Sequence, residues 1–432
     1  MTQRALSGRT ATFLVVASMV GTGVFSTSGF LLADLHSAPA VLLAWAIGGV
    51  LAGAGALSYA ELVAALPENG GEYHLLSEIY HPAIGFMAGV VSFVVGFAAP
   101  IAASALAFGD YLHSAWPAVD AKLAALALIA SMSLVHAGQV RHGGWVQDAL
   151  TAFKIALIVV TLVVGLMFGD LSRLSEGTAS VTEGLLSSEM AVALVFVTFS
   201  YSGWNAAAYI AGEVRDPGRT LPRALLVGTA VVTLLYVLVN AAFLAAAPAS
   251  ALAGDVTVGH TAAASLFGPT AGSALSAVIA FGLLSTVGAL IMTGTRVVAA
   301  MGRDHGRLAL LARRATGKSP RLAVGLQGGV AAIMVLTAKL ETLLGYIGMT
   351  LSIFAGLTVL GVIVLRRRRP DLPRPVRTWG YPVTPMVFVA STVWMIVWSV
   401  SAEPKAAWAG AATIGLSGLL YLLVKEQKAP SP

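Results

Sequence analysis

Two stretches place glycine, hydroxyl and aromatic residues inside otherwise apolar runs: Val20-Gly21-Thr22-Gly23-Val24-Phe25-Ser26-Thr27 and Phe199-Ser200-Tyr201-Ser202-Gly203-Trp204-Asn205. Each glycine weakens a helix by about 1 kcal/mol. A helix that comes undone inside lipid is tolerated only where its backbone lines a cavity or is buried in protein. Unwinding frees amide N–H groups, whose positive partial charge suits a carboxylate, and carbonyls, which suit an ammonium. Neither stretch contains Asp, Glu, Lys or Arg. A site formed by Val20, Gly21, Thr22 and Gly23 with Phe199, Ser200, Ser202 and Gly203 therefore fits a zwitterion with an uncharged side chain. Small residues in apolar helices also serve close helix packing, and that reading would suffice for either stretch alone. Phe199 reads either as a packing aromatic or as a gate over the bound molecule.

Lys154 falls inside an apolar run and belongs to neither set of loops. It sits about 8 Å beyond the start of that run at 1.5 Å per residue, so its stem could snorkel to the interface. Alternatively its ammonium points inward, cycling a proton or standing where a cation would bind between the first, fifth and eighth runs. Ser285 and Thr286 either line the same cavity or bond back to their own helix carbonyls. Glu61 reads as a structural partner for an amide or an arginine. Glu213, Arg215, Asp216, Arg219 and Arg223 read as an ion network with a possible gating role. His36, His136 and His142 have no ligand spacing, and no metal or cofactor is expected.

The chain has 432 residues, 57% hydrophobic and 11% charged, with mean hydropathy +0.84. That charge is too sparse for a soluble surface of this size. Twelve apolar runs approach the roughly 20 residues that cross a bilayer as a helix. They cover about 10–33, 39–66, 83–112, 122–138, 147–169, 189–212, 222–247, 269–301, 322–339, 342–365, 383–402 and 406–424. The first is read as a retained span, not a signal peptide. The alternating loops divide the basic residues 21 to 4, which puts both termini in the cytoplasm. The run Arg366–Arg369 reads as a positive-inside anchor at anionic headgroups, not as a nucleic-acid patch. A short amphipathic helix is expected between Leu66 and Pro82.

The glycine-bearing stretches lie in the first and sixth runs, at matching positions of two five-helix halves. Paired interruptions of this kind mark the binding site of transporters built from inverted repeats. The expected architecture is all-α and integral to the membrane: a single domain over 1–432, with one repeat at about 10–169, a second at about 189–365, and two further helices at about 383–424. No P-loop, HExxH or nucleophile elbow occurs, so no enzyme is expected. A channel or a non-transporting sensor is the alternative class.

The stretches GTGVF (21–25), YAELVAALPENGGEY (59–73), FSYSGWNAAAYIAGEVRDPGRTLPRA (199–224) and TGTRVVAAMGRDHGRL (293–308) resemble the amino acid–polyamine–organocation superfamily, and above all its L-type branch and bacterial relatives. That resemblance implies the five-plus-five inverted-repeat fold, with substrate carboxylate on the backbone at Gly21, Thr22 and Gly23. It implies the α-amino group on carbonyls around Phe199 and Ser200, with Phe199 as the gate. Lys154 matches a lysine that occupies the sodium position in sodium-independent members. Thr22 stands where serine is usual, and His74-Leu75-Leu76 lacks an aromatic often found there. With no cysteine in the chain, the disulfide that holds a heavy chain on eukaryotic members cannot form. The implied function is alternating-access transport of small or medium neutral amino acids by a free-standing bacterial inner-membrane permease. Coupling is by exchange or by proton symport, and a polyamine is the rival substrate.

Overall fold

In hydrocarbon every main-chain N–H and C=O must find a partner within the protein, and long uninterrupted helices meet that demand. The computed structural model, which describes residues 6–137, 143–177, 184–312 and 320–424, is built from such helices and contains no named strand among those residues. In chain order they are α1 (Gly8–Met19), α2 (Gly23–Leu35), α3 (Ala38–Ala65), α4 (Glu72–Ile79), α5 (Pro82–Ala115), α6 (Ala121–Ala137), α7 (Gly143–Phe168), α8 (Ser188–Ser200), α9 (Pro217–Ala246), α10 (Val258–Phe267), α11 (Pro269–Asp304), α12 (Arg321–Thr337), α13 (Leu340–Arg368), α14 (Val383–Ala402) and α15 (Pro404–Val424).

Eight of these are long and apolar enough to cross a membrane, and α1 with α2 makes a ninth candidate bent by 42°. Helices α6, α8 and α12 are apolar but shorter. The anticipated short helix between Leu66 and Pro82 is α4. Helix α10 is an element the apolar runs did not announce.

The apolar residues are distributed inside out. Trp408 is 76% exposed and Leu422 69%, on the outer helix α15, as expected where lipid is the solvent. The interrupted helices occupy the centre instead, and α2 is buried from Gly23 to Leu32. Helix α5 carries a π-helical stretch at Ser92–Ala98, just before Pro100. Proline has no N–H and its ring crowds the carbonyl four residues back, so the ladder widens there.

The two ends of the bundle differ. One end, the basic face, carries Leu6, α4 and the ends of α3 and α13. The Leu6 amide donates to the Glu213 carbonyl at 3.0 Å, and the Arg215 amide donates to the Leu6 carbonyl at 3.0 Å. Glu61, buried at 1% exposure, accepts from Arg366 Nε at 2.8 Å, Arg366 Nη2 at 2.6 Å and the Thr378 amide at 2.7 Å. This is the arginine-and-amide role expected for Glu61. Of the Arg366–Arg369 run only Arg366 is part-buried, and the other three are exposed; Arg368 donates to the Ile79 carbonyl at 2.9 Å and Arg369 pairs with Glu78 at 3.2 Å.

The expected network of Glu213, Arg215, Asp216, Arg219 and Arg223 is not present: among the described residues none of the five is ion-paired with another. Asp216 is instead the left-handed N-cap of α9, φ 45°, and Glu213 turns to Asn69 Nδ2 at 3.4 Å. Arg4, Arg141, His142, Arg313, Arg314, Lys318, Lys425 and Lys428 lie outside the described residues.

The opposite end is shut by main-chain contacts. The Ala38 amide donates to the Glu176 carbonyl at 2.9 Å, and the Gly254 amide donates to the Gly29 carbonyl at 2.8 Å. A Cβ on Gly29 would lie 1.9 Å from the Asp255 carbonyl oxygen, so only glycine allows this approach. Tyr111 Oη donates to the Phe25 carbonyl at 2.7 Å and accepts from the Gly259 amide at 3.2 Å.

Candidate functional site

Helix α1 ends at Met19, Val20 is extended (φ −71°, ψ 94°), and α2 begins at Gly23. In the sixth run α8 ends at Ser200, and the chain crosses Tyr201–Asn205 before a 3-10 segment at Ala206–Glu213. The two interruptions meet at mid-bundle, and glycine makes each approach possible. A Cβ on Gly23 would lie 2.3 Å from Ser200 Oγ and 2.6 Å from Ser200 Cα. Gly203, at φ +100°, would bring a Cβ to 2.6 Å from the Ser18 carbonyl oxygen. Each break thus carries a glycine seated on a serine of the other. Ser200 Oγ also hydrogen-bonds Thr27 Oγ1 at 2.9 Å, and Thr22 Oγ1 donates to Ser104 Oγ at 2.6 Å.

The freed carbonyls are used. The Val20 carbonyl accepts from Lys154 Nζ at 2.9 Å, and the Met19 carbonyl accepts from Tyr236 Oη at 2.6 Å. Lys154 is 2% exposed, and Nζ donates a second bond to Thr286 Oγ1 at 3.2 Å. Its ammonium therefore points into the bundle and ties the first break to α7 and α11. Thr286 joins this contact, whereas Ser285 Oγ donates to the Gly282 carbonyl of its own helix at 3.0 Å. The Phe199 carbonyl accepts from the Ser202 amide at 2.8 Å.

A cavity of about 230 Å³ extends from the breaks towards the basic face. Its wall includes Ser18, Phe199, Ser202, Gly203, Lys154 and Thr286. Of the residues expected to form a site, Val20, Thr22, Gly23, Ser200 and Ser285 are buried next to it without lining it. Gly21 is part-buried, also off the wall. The volume is below the roughly 300–1,000 Å³ of pockets for drug-sized ligands.

Sequence reasoning missed part of the wall. Glu72, Asn205 and Tyr209 line the cavity, as do Ser92 and Phe97 of the π-helical stretch. Glu72 is 4% exposed, with Oε1 accepting from Tyr59 Oη at 2.5 Å and from Asn205 Nδ2 at 3.0 Å. Burial pushes its carboxyl up to about 7. Tyr59 and Glu72 both lie in the YAELVAALPENGGEY stretch, but their meeting with Asn205 is a long-range contact that no local pattern announces. Pro100, inside an apolar run, was the available signal for the π-helical stretch.

The chain resembles known proteins along most of its length. The chain is 29% identical over 417 residues to the b(0,+)-type amino acid transporter 1 of Mus musculus, covering 94% of this chain and 85% of that one. It is 30% identical over 427 residues to the large neutral amino acids transporter small subunit 2 of Rattus norvegicus, covering 95% and 78%. It is 28% identical over 427 residues to the serine/threonine exchanger SteT of Bacillus subtilis (strain 168), covering 96% and 95%. The amino acid permease family matches residues 6–421. The chain belongs to that family: it is a multi-pass membrane permease and not an enzyme.

Proposed function

We propose that this permease moves small or medium neutral amino acids across the bacterial inner membrane by alternating access. One observation carries the reading: two helix breaks interlock through Gly23 on Ser200 and Gly203 on Ser18, above a cavity that leads to one face while the other is closed. In this reading the bundle has twelve spans, the shorter α6, α8 and α12 and the two-part sixth span included. Residues 10–169 and 189–365 are its inverted repeats, and α14 and α15 stand outside them. The basic face is cytoplasmic by the excess of Lys and Arg there, so the shape described is open inward.

The amides of Gly21, Thr22 and Gly23 bind the substrate carboxylate once the breaks part, and carbonyls around Phe199 and Ser200 take the ammonium. Phe199, 6% exposed on the cavity wall, closes over the bound molecule. Lys154 stands where a coupling cation would sit, holding the first break through Val20. The relative named a serine/threonine exchanger favours exchange of small polar or neutral substrates. Proteoliposomes with the purified chain test this. Saturable uptake of labelled L-serine, L-threonine or L-alanine, accelerated by unlabelled amino acid inside, is the expected result. Absence of acceleration together with uptake driven by a pH gradient would replace exchange with proton symport. No uptake from a full neutral panel would end the reading.

A further inference from the structure

The two breaks hold no acidic residue, yet the cavity they open into does. Glu72 lies on its wall, nine-tenths buried and more, and among the described residues it has no ion-pair partner. Both of its hydrogen bonds, from Tyr59 and Asn205, go to Oε1. They fix the carboxylate's orientation and leave Oε2 without a donor. A buried carboxylate with an unused oxygen and no counter-charge is costly unless a cation comes to it. The surroundings suit a particular cation. Tyr59 meets Trp204 edge-on at 4.7 Å, and Tyr209 meets Phe97 at 6.3 Å. With Glu72 on the same wall stand Trp204, Tyr209 and Phe97, aromatic surfaces of the kind that receive alkylammonium groups.

We propose that Glu72 is a second ammonium-binding group of the cavity: its free Oε2 receives the α-ammonium of an amino acid passing between the helix breaks and the basic face. The proposal rests on the transport reading given above. The titratable groups facing Glu72 are Tyr59 of α3 and Tyr209 of the 3-10 segment, with exposed Arg296 of α11 on the same cavity wall. Arg366 and Arg368 of the adjoining α13 are turned to Glu61 and the Ile79 carbonyl, Arg369 just past its end is turned to Glu78, and Arg367 is exposed. With no amino acid present, Glu72 holds a proton near neutral pH, and an arriving ammonium displaces it.

The test compares full-length wild type, Glu72→Gln and Glu72→Asp in proteoliposomes, varying L-serine on each side separately. A charge-assisted hydrogen bond of ordinary strength predicts that Glu72→Gln raises the half-saturating concentration on the cavity side about tenfold. The other side stays within about twofold, and Glu72→Asp falls between. In wild type the cavity-side value falls as pH rises from 6 to 8, because the ionised carboxyl binds the ammonium; in Glu72→Gln it is flat. Equal changes on both sides, or none, overturn the proposal in favour of a structural role. A separate measurement does not need transport: ethylammonium chloride should raise the melting temperature of purified wild type and not of Glu72→Gln. Loss of the pH dependence without ethylammonium protection of wild type would make Glu72 a proton site and overturn the ammonium assignment. A wild type that transports nothing yet gains stability from ethylammonium would overturn the transport reading and leave this site standing.

Discussion

Lys154 Nζ donates to the Val20 carbonyl at 2.9 Å, joining a helix that is whole to one that is broken. The contact satisfies a carbonyl that the break orphans and at the same time gives a buried ammonium an acceptor. Each group would be expensive to leave alone at that depth. Replacing Lys154 with alanine should therefore loosen the first break and reduce L-serine exchange by at least about tenfold, an effect near 1.4 kcal/mol. Lys154→Arg should recover little, because a planar guanidinium does not fit the space of a compact ammonium. Initial uptake rates in proteoliposomes measure this, and wild-type rates in Lys154→Ala would remove the residue from the coupling machinery.

The glycines of the first break should differ. At Gly23 a Cβ meets Ser200 at 2.3 Å, whereas at Gly21 the nearest atom is Thr286 Cγ2 at 3.6 Å. Gly23→Ala should cost about 1–3 kcal/mol in overpacking and lower the melting temperature by several degrees. Gly21→Ala should melt close to wild type. Equal melting temperatures for the two variants would show that the breaks do not interlock as described.

Glu61 anchors the basic face. It is ion-paired with Arg366 at 2.6 Å and with Arg374 at 3.4 Å. Breaking a buried pair from one side costs about 3–5 kcal/mol because the remaining charges lose their partner. Glu61→Gln should lower the melting temperature more than Glu78→Gln, whose pair with Arg369 is half exposed at 46% and 41%. Thermal unfolding in detergent, followed by tryptophan fluorescence, gives the comparison.

Burial raises Glu72 from 4.5 to about 7. Between those values the unfolded chain has released this proton and the folded chain still holds it. The folded state therefore binds more protons, and stability falls as pH climbs from about 4.5 to about 7. The loss levels off at about 3 kcal/mol, because each tenfold difference in proton affinity between the two states is worth about 1.4 kcal/mol. Comparing melting temperatures at pH 5 and pH 8, the decrease should be larger in wild type than in Glu72→Gln. An identical decrease would place the titration on another group.

Both breaks were legible because glycine and hydroxyl residues stand out in an apolar run, and their matching positions in the order of the runs led to the expectation that they meet. The orientation of Lys154 was not. Measured from the start of its apolar run it looks shallow, but α7 begins at Gly143, which puts the residue about 16 Å along the helix at 1.5 Å per residue. Glu72 was hidden for a different reason. Its segment reads as a short amphipathic helix outside the spans, and its partners Tyr59 of α3 and Asn205 of the second break come from other elements. The expected network around Arg219 and Arg223 failed because charges close in sequence were assumed to be close in space; Asp216 takes a left-handed backbone at the N-cap position of α9 and its side chain makes no cap hydrogen bond there.

At the closed end, Gly29 lies against Asp255 with backbone touching backbone, and Tyr111 clasps two main-chain groups there. No side-chain flip can undo the Gly29 contacts, which are main chain against main chain. Admitting solute from that direction requires peeling a whole segment away at once, a collective event on the microsecond-to-millisecond scale. Turnover should then be paced by this unzipping and not by diffusion into the pore. A cross-link between the chain near Gly29 and the chain near Asp255 would leave a molecule able to bind from one side only.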